Sequence, residues 1–341
     1  METTLPLMLD GIARKYPDIP AQYFRINEKT PVFESLSYRE LMNIALNFAG
    51  GLLSLGVRRG DPVGLIADNR REWLQMDMGI MAIGAVDVPR GCDAVESELG
   101  FILASTECGT VIAENAAQVC KILALKSQLP KLQQIITMDT VEDPEVIALV
   151  RKHAVGLFAF EEVQKAGIEY NQKNPGLAEE EMRKGCGDDL ACIIFTSGTT
   201  GEPKGVMLTH HNFLAQLDEL PERIYLHPGD RALLVLPVWH VFERLCEYVI
   251  ICQGGSLCYS KPIGSVMLPD MQELNPQLMP AVPRVFEAVY EAVNRTMRKT
   301  GGVVFVLYKF FLGAAKLQSA IHRRLFRKTA RFRNDHILLS W

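Results

Sequence analysis

Short apolar runs alternate with longer segments of helical spacing through residues 1–140, and this alternation restricts the possible folds more than any other feature of the chain. Residues 62–67 (PVGLIA) form an apolar run after Gly60 and Asp61 and predict a buried strand. Asn69 then stands as the cap of a helix running through Glu72 and Met81, with Trp73, Met76, Ile80 and Ile83 as its apolar positions. Residues 84–89 predict a second strand closed by Pro89, and strands at 110–113 and 134–138 are preceded by helices at 97–105 and 116–125. Strands joined by helices of roughly ten residues predict βαβ units and a mostly parallel sheet flanked by helices. From 141 to 187 the pattern loosens, and residues 171–189, rich in charge, Gly and Asn, predict a surface bridge between two subdomains. Beyond it, 190–195 and 206–208 predict strands, and a helix opens near His210.

Composition removes several classes of protein. With 341 residues, 48% apolar and 22% charged, the chain resembles an ordinary globular protein of about two domains, which excludes a collagen-like repeat, a disordered tail and a small disulfide scaffold. A net charge of −4 argues against a nucleic-acid partner, whose binders usually carry a basic excess. The charge is unevenly spread, however. From Arg295 to Arg333 there are 11 Lys or Arg and no Asp or Glu, leaving 25 basic against 40 acidic residues elsewhere. The aromatic and aliphatic residues of 303–311 followed by the basic run 322–328 read in two ways: a basic amphipathic segment making peripheral membrane contact through 295–333, or a solvated helix face. No apolar run reaches the roughly 18 residues that span a bilayer. The nearest, 303–315, is interrupted by Lys309, so an integral membrane protein is not expected.

The eight Cys include no CxxC pair, and Cys246, Cys252 and Cys258 recur at intervals of six, as Cys186 and Cys192 do. Zinc ligands come in pairs two to four apart, so these read as buried free thiols in a reducing compartment. The expected location is the cytoplasm, peripheral to the inner face of a membrane if the basic segment docks there.

The densest chemistry lies in residues 196–205, where Thr196, Ser197, Thr199 and Thr200 are interleaved with Gly198, Gly201 and Gly205 and followed by Pro203 and Lys204. Glycines let backbone N–H groups approach an anion, hydroxyls add donors, and Lys204 adds a point charge. The GxxxxGK[ST] and GxGxxG patterns are both absent, and a strand rather than a helix follows. A polyphosphate-binding loop and a plain Gly/Ser/Thr-rich hairpin are the two readings, and the concentration of donors between two apolar strands favours the first.

The run TSGTTGEPKGV followed by LTHHN resembles the phosphate-binding signature of AMP-forming acyl-adenylating enzymes. Residues 236–244 (LPVWHVFER) resemble a second motif of that family in the form found in its long-chain fatty acyl-CoA synthetase branch, and 281–287 (AVPRVFE) resemble a third. Earlier, 37–41 (SYREL), Gly60-Asp61 and 69–73 (NRREW) match the usual opening of the family. The resemblance implies ATP-dependent activation of a fatty acid as an acyl-adenylate, then transfer to the thiol of coenzyme A. It implies that Thr196, Ser197, Gly198, Thr199, Thr200, Gly201 and Lys204 hold the ATP phosphates, with Mg²⁺ on those phosphates beside Thr196. His240 would then stand at the carboxylate and the nascent adenylate as the catalytic residue; without the resemblance it reads as a core histidine. Trp239, Glu243 and Arg244 are the further substrate-side candidates, the last two spaced like a surface or rim ion pair.

The expected fold is therefore α/β, an incomplete N-terminal domain of an acyl-adenylate-forming enzyme. Residues 1–187 form a first subdomain with its linker, 188–294 carry the phosphate loop and acyl pocket, and 295–341 form the basic, partly apolar tail. The family's adenine-contacting YGxTE-type motif, ribose-binding TGD-type segment and lid lysine do not occur in the 341 residues. The chain is thus expected to be a truncated or split synthetase without the C-terminal lid, impaired alone; completion by a second polypeptide is an alternative. An adenylating enzyme for another carboxylic acid and a non-catalytic fragment or subunit are the alternatives.

Overall fold

The computed structural model describes residues 3–27, 30–196 and 203–325. The chain runs α1 (Leu5–Lys15), β1 (Pro20–Arg25), β2 (Phe33–Ser37), α2 (Tyr38–Ser54), β3 (Pro62–Ile66), α3 (Arg71–Ala82), β4 (Val86–Arg90), α4 (Glu96–Ser105), β5 (Thr110–Ala113), α5 (Ala116–Ala124), β6 (Gln134–Thr137), α6 (Pro144–Lys152), β7 (Gly156–Ala159), α7 (Phe160–Lys173) and α8 (Leu177–Arg183). It continues through β8 (Leu190–Thr196), β9 (Lys204–Thr209), α9 (His210–Glu219), β10 (Arg231–Leu234), α10 (Val241–Cys252), β11 (Ser256–Tyr259), α11 (Gly264–Leu274), α12 (Pro283–Thr300) and α13 (Gly302–Leu325).

Seven strands form one sheet in the order β7-β6-β5-β3-β4-β8-β9, parallel except for β9, which returns antiparallel to β8. All of β5 and most of β3 are buried, as strands covered by helices on both faces must be. Leu99, Ile102, Val119, Ile122 and Val146 of α4, α5 and α6 cover one face. The opposite core, with Phe48, Leu52, Trp73, Ile80, Tyr248 and Ile250, is shared with a second sheet of order β10-β11-β1-β2. The entry to α2 shows why the sequence folds as it does locally. The Ser37 side chain accepts the Glu40 N–H at 3.3 Å, and the Glu40 carboxylate accepts the Ser37 N–H at 2.7 Å.

Four expectations change. Asn69 does not cap the α3 helix, whose N-cap is Arg70; its side chain is used elsewhere. The loosened stretch 141–187 holds β7 and three helices, and α8 lies within the expected surface bridge with Ala178 and Met182 buried. The two sheets do not divide at residue 187. β8 and β9 complete the first sheet, while β1 and β2 join the second, with Gln22 in parallel register beside Leu257. Finally, Lys309 does not interrupt the apolar run. It lies within the unbroken α13, and the 20 residues Gly302–Ile321 have the length and composition to cross a bilayer, none of them buried against the protein.

Candidate active site at the carboxyl ends of the parallel strands

Parallel α/β sheets bind ligands beyond the carboxyl ends of their strands, where the crossing loops converge. Here that edge carries the last residues of β4 and β8, neighbours in the sheet through the parallel pairing of Asp87 with Cys192. Thr196 ends β8 and lies opposite Lys204, the first residue of β9, in an antiparallel pair, so a hydroxyl and an ammonium stand exposed side by side at the two strand ends. Ser197, Gly198, Thr199, Thr200 and Gly201 lie outside the described residues.

Residues 235–240 run from β10 into α10. His240 is the N-cap of α10, and its Nδ1 accepts the Phe242 N–H at 3.3 Å. The neutral ring therefore carries its proton on Nε2. The side chain is exposed. Trp239 packs against the end of β4, where the Arg90 guanidinium lies 4.3 Å from the centre of its ring. Arg90 is in turn fixed by a two-pronged pair with Glu98, both contacts at 3.1 Å. Gly91 makes room for the indole, since a Cβ there would come within 2.3 Å of Trp239 Nε1.

Asn69 holds this loop. Its Oδ1 accepts the Val238 N–H at 2.8 Å and its Nδ2 donates to the Leu236 carbonyl, tying the motif to the end of β3. The sequence offered Asn69 as a helix cap and gave no sign of this clamp. Arg90 was also missed, although a cationic residue directly after a Pro-closed strand at a ligand-binding edge is a visible signal.

Glu243 and Arg244 are not a surface or rim pair. Both are completely buried on the inner face of α10. Arg244 donates to Asp77 and, at 2.7 Å, to the Tyr248 hydroxyl, and lies 2.8 Å from Asp87 in a contact too bent for a hydrogen bond. Its ring neighbours are Trp73, Phe213 and Tyr248. Glu243 accepts the Leu236 N–H at 3.4 Å through one oxygen, and its other oxygen has no hydrogen-bond partner among the described residues. These two side chains support the motif from beneath and do not face a substrate.

At the same sheet edge, Asp68, Cys92 and Glu114 bring their ligand atoms within 4.8 Å of one another. Glu114 accepts the Asp68 N–H at 2.8 Å and Asp68 accepts the Cys92 N–H at 3.3 Å, so the carboxylates are tied to strand-end backbone. Burial, then the adjacent Glu114 and Asp68 charges, push the Cys92 thiol far up, so it stands as a neutral thiol.

The profile of the AMP-binding enzyme family matches residues 9–338. A probable acyl-activating enzyme 16 (chloroplastic) of Arabidopsis thaliana is 34% identical over 266 residues, covering 76% of this chain and 36% of that protein. Long-chain-fatty-acid–CoA ligase 6 of Mus musculus is 29% identical over 269 residues, covering 76% and 37%. The chain thus spans little more than a third of the length of these curated relatives. Among solved structures, the A-PCP didomain of carboxylic acid reductase from Segniliparus rugosus superposes with a TM-score of 0.74 at 21% identity, over 88% of this chain and 45% of that one. The N-terminal domain of FACL13 from Mycobacterium tuberculosis superposes with a TM-score of 0.64 at 24% identity, over 84% and 64%. These likenesses concern the fold, which is that of an adenylation domain's N-terminal part. With the profile covering nearly the whole chain and the motif loops assembled at one sheet edge, this protein belongs to the AMP-binding enzyme family.

Proposed function

We propose that this chain carries the phosphate-binding and acyl-binding parts of a long-chain fatty acid ligase that uses ATP, Mg²⁺ and coenzyme A. The observation that carries this reading is an apolar groove of about 530 Å³ between α11 and α12, lined by Met267, Leu268, Val285, Val289, Val293 and Met297. That volume suits a small-molecule site, and its lining suits a hydrocarbon chain rather than a polar amino acid. Arg284, also on the lining, is a cation at the groove for a carboxylate.

In the first half-reaction a carboxylate oxygen of the fatty acid bonds to the α-phosphorus of ATP and the bond to pyrophosphate breaks. In the second, the thiol sulfur of coenzyme A, having given up its proton, bonds to the acyl carbon as the bond to AMP breaks. Chemistry of this type asks the protein for position and charge neutralisation. Thr196 and Lys204, with the residues between them, would receive the phosphates. Mg²⁺, when bound, neutralises phosphate charge beside Thr196, and a hydroxyl flanked by an ammonium suits a metal held mainly by the nucleotide. His240 presents its outward Nε2–H as a donor toward the carboxylate and the developing adenylate.

Displacement of a fluorescent fatty acid tests the substrate class. Hexadecanoate is expected to compete at far lower concentration than benzoate or an amino acid, and Val289→Arg, which fills the groove, is expected to abolish the binding. Equal competition by benzoate, or unchanged binding in Val289→Arg, would overturn the fatty acid assignment.

A further inference from the structure

Helices α12 and α13 form an antiparallel hairpin turned at Gly301 and Gly302, both with positive φ (63° and 56°). Tyr308 donates to Asn294 Oδ1 at 2.9 Å, and the Lys316 ammonium sits 5.9 Å from the centre of the Tyr290 ring. The side of α13 turned to α12 therefore carries Phe305, Tyr308 and Leu312, which are half-buried. Val303, Leu307, Phe310, Leu317 and Ile321, spaced by four, three, seven and four, form a different stripe. That stripe points outward, at 74, 48, 68, 63 and 40% exposure. A helix of a water-soluble protein turns its apolar stripe toward the core; α13 turns it away.

We propose that α13 lies on an anionic lipid bilayer, with this outward stripe sunk into the interfacial layer. Charge selects the occupant. Between Arg295 and Arg333 there are 11 Lys or Arg and no Asp or Glu, in a chain whose remainder is strongly acidic. An anionic headgroup surface attracts such a segment and repels the rest of the molecule, which orients the docking. A protein partner covering the stripe would need the apolar face but not the exclusion of every acidic residue from 39 consecutive positions.

The position of the lysines decides how α13 meets the lipid. Lys309 and Lys316 are seven residues apart, two helical turns, and lie on the side of the helix away from Val303, Leu307 and Ile321. A crossing helix would carry both ammonium groups through the hydrocarbon, whereas a helix parallel to the surface keeps them out of it while burying the stripe. At 24 residues α13 is about 36 Å long, room for several headgroup contacts along its length.

The test is sedimentation of the full chain with vesicles of phosphatidylcholine alone or mixed with phosphatidylglycerol. Binding is expected on the anionic vesicles and to weaken with salt. Replacing both lysines by Gln should weaken it by about tenfold or more, since each charge near such a surface contributes roughly a factor of five. Phe310→Ser/Leu317→Ser should abolish it, with the circular dichroism of the chain unchanged because both side chains are exposed. Should that variant misfold, Phe310→Trp supplies an independent readout: its emission should shift to the blue with anionic vesicles and be quenched by brominated acyl chains. Several outcomes would overturn the proposal: no binding, equal binding to both vesicle types, or indole emission from Phe310→Trp that brominated chains leave unquenched. Self-association that depends on Phe310 and Leu317 would overturn it in favour of a second copy of this chain.

Discussion

Glu243 sits in α10 with one carboxylate oxygen lacking a hydrogen-bond partner among the described residues and no exposure to water. Burial pushes its carboxyl up to about 8, although the Leu236 and Val235 backbone N–H groups pull it down. Glu247, one turn on, is also fully buried with no hydrogen-bond partner among the described residues, and burial together with Glu243 raises it well above the carboxylate range. A carboxyl raised in the folded state keeps its proton where the unfolded chain, with an ordinary value of 4.5, has released it. Stability is therefore full below that ordinary value and is lost as pH rises toward 8, by about 3–5 kcal/mol for Glu243. Glu243→Gln should flatten the fall of the urea midpoint between pH 5 and 8; a midpoint that rises with pH in both proteins would contradict the assignment. Arg244 has the opposite dependence on its surroundings, since removing it leaves Asp77 and Asp87 buried without a cation. Arg244→Met should destabilise by about 3–5 kcal/mol, and adding Asp77→Asn and Asp87→Asn should restore part of that loss. The sequence shows Glu243 and Arg244 as adjacent opposite charges. It does not show which side of α10 they occupy, because that register follows from the capping of the helix by His240 and the attachment of its loop to Asn69.

At the scale of elements, the strands and helices that were legible are those whose apolar pattern is set by burial on both sides. β3, β5 and β6 match their expected positions within a residue because parallel strands covered by helices have no polar face to confuse the pattern. The α8 helix was not legible. Seven residues containing three consecutive Glu and burying only Ala178 and Met182 look like a loop, and only their packing on the rest of the fold makes them helical. Helix crossings were equally hidden. Gly167 of α7 lies so close to α2 that a Cβ would come within 1.7 Å of the Asn47 carbonyl. Backbone cannot yield as a flexible side chain does, so Gly167→Ala should force the two helices apart and cost about 1–3 kcal/mol or more, read as a lowered denaturation midpoint. An unchanged midpoint would mean that the crossing is looser than its geometry. The Asn69 clamp makes a more local prediction. Asn69→Ala removes the acceptor of the Val238 N–H, costing about 1–2 kcal/mol and accelerating hydrogen exchange across 236–240 while leaving the β5 and β6 amides protected.

For the whole molecule, the interleaving of the two sheets matters more than the order of segments along the chain. The Gly-rich segment was legible as lying between two strands, β8 and β9, but nothing in the sequence placed it beside β4 at the edge of the larger sheet. The division at residue 187 was an expectation drawn from sequence order, and sequence order does not reveal that β1 pairs with β11 across more than 200 positions. Two buried thiols report on whether this interleaving makes one cooperative unit. Cys192 lies in β8 of the larger sheet and Cys258 in β11 of the smaller, both fully buried, and burial pushes both thiols up to about 12. Neither reacts as a thiolate while folded, so labelling requires opening, whereas the exposed Cys186 should label at once. Because Phe48, Trp73, Tyr248 and Leu257 belong to one continuous core touching both sheets, opening one sheet exposes the apolar face of the other. Cys192 and Cys258 should therefore become reactive at the same urea concentration, well above that needed for Cys186. If Cys258 labels at a lower concentration than Cys192, the four-stranded sheet opens on its own and the shared core does not couple the two halves.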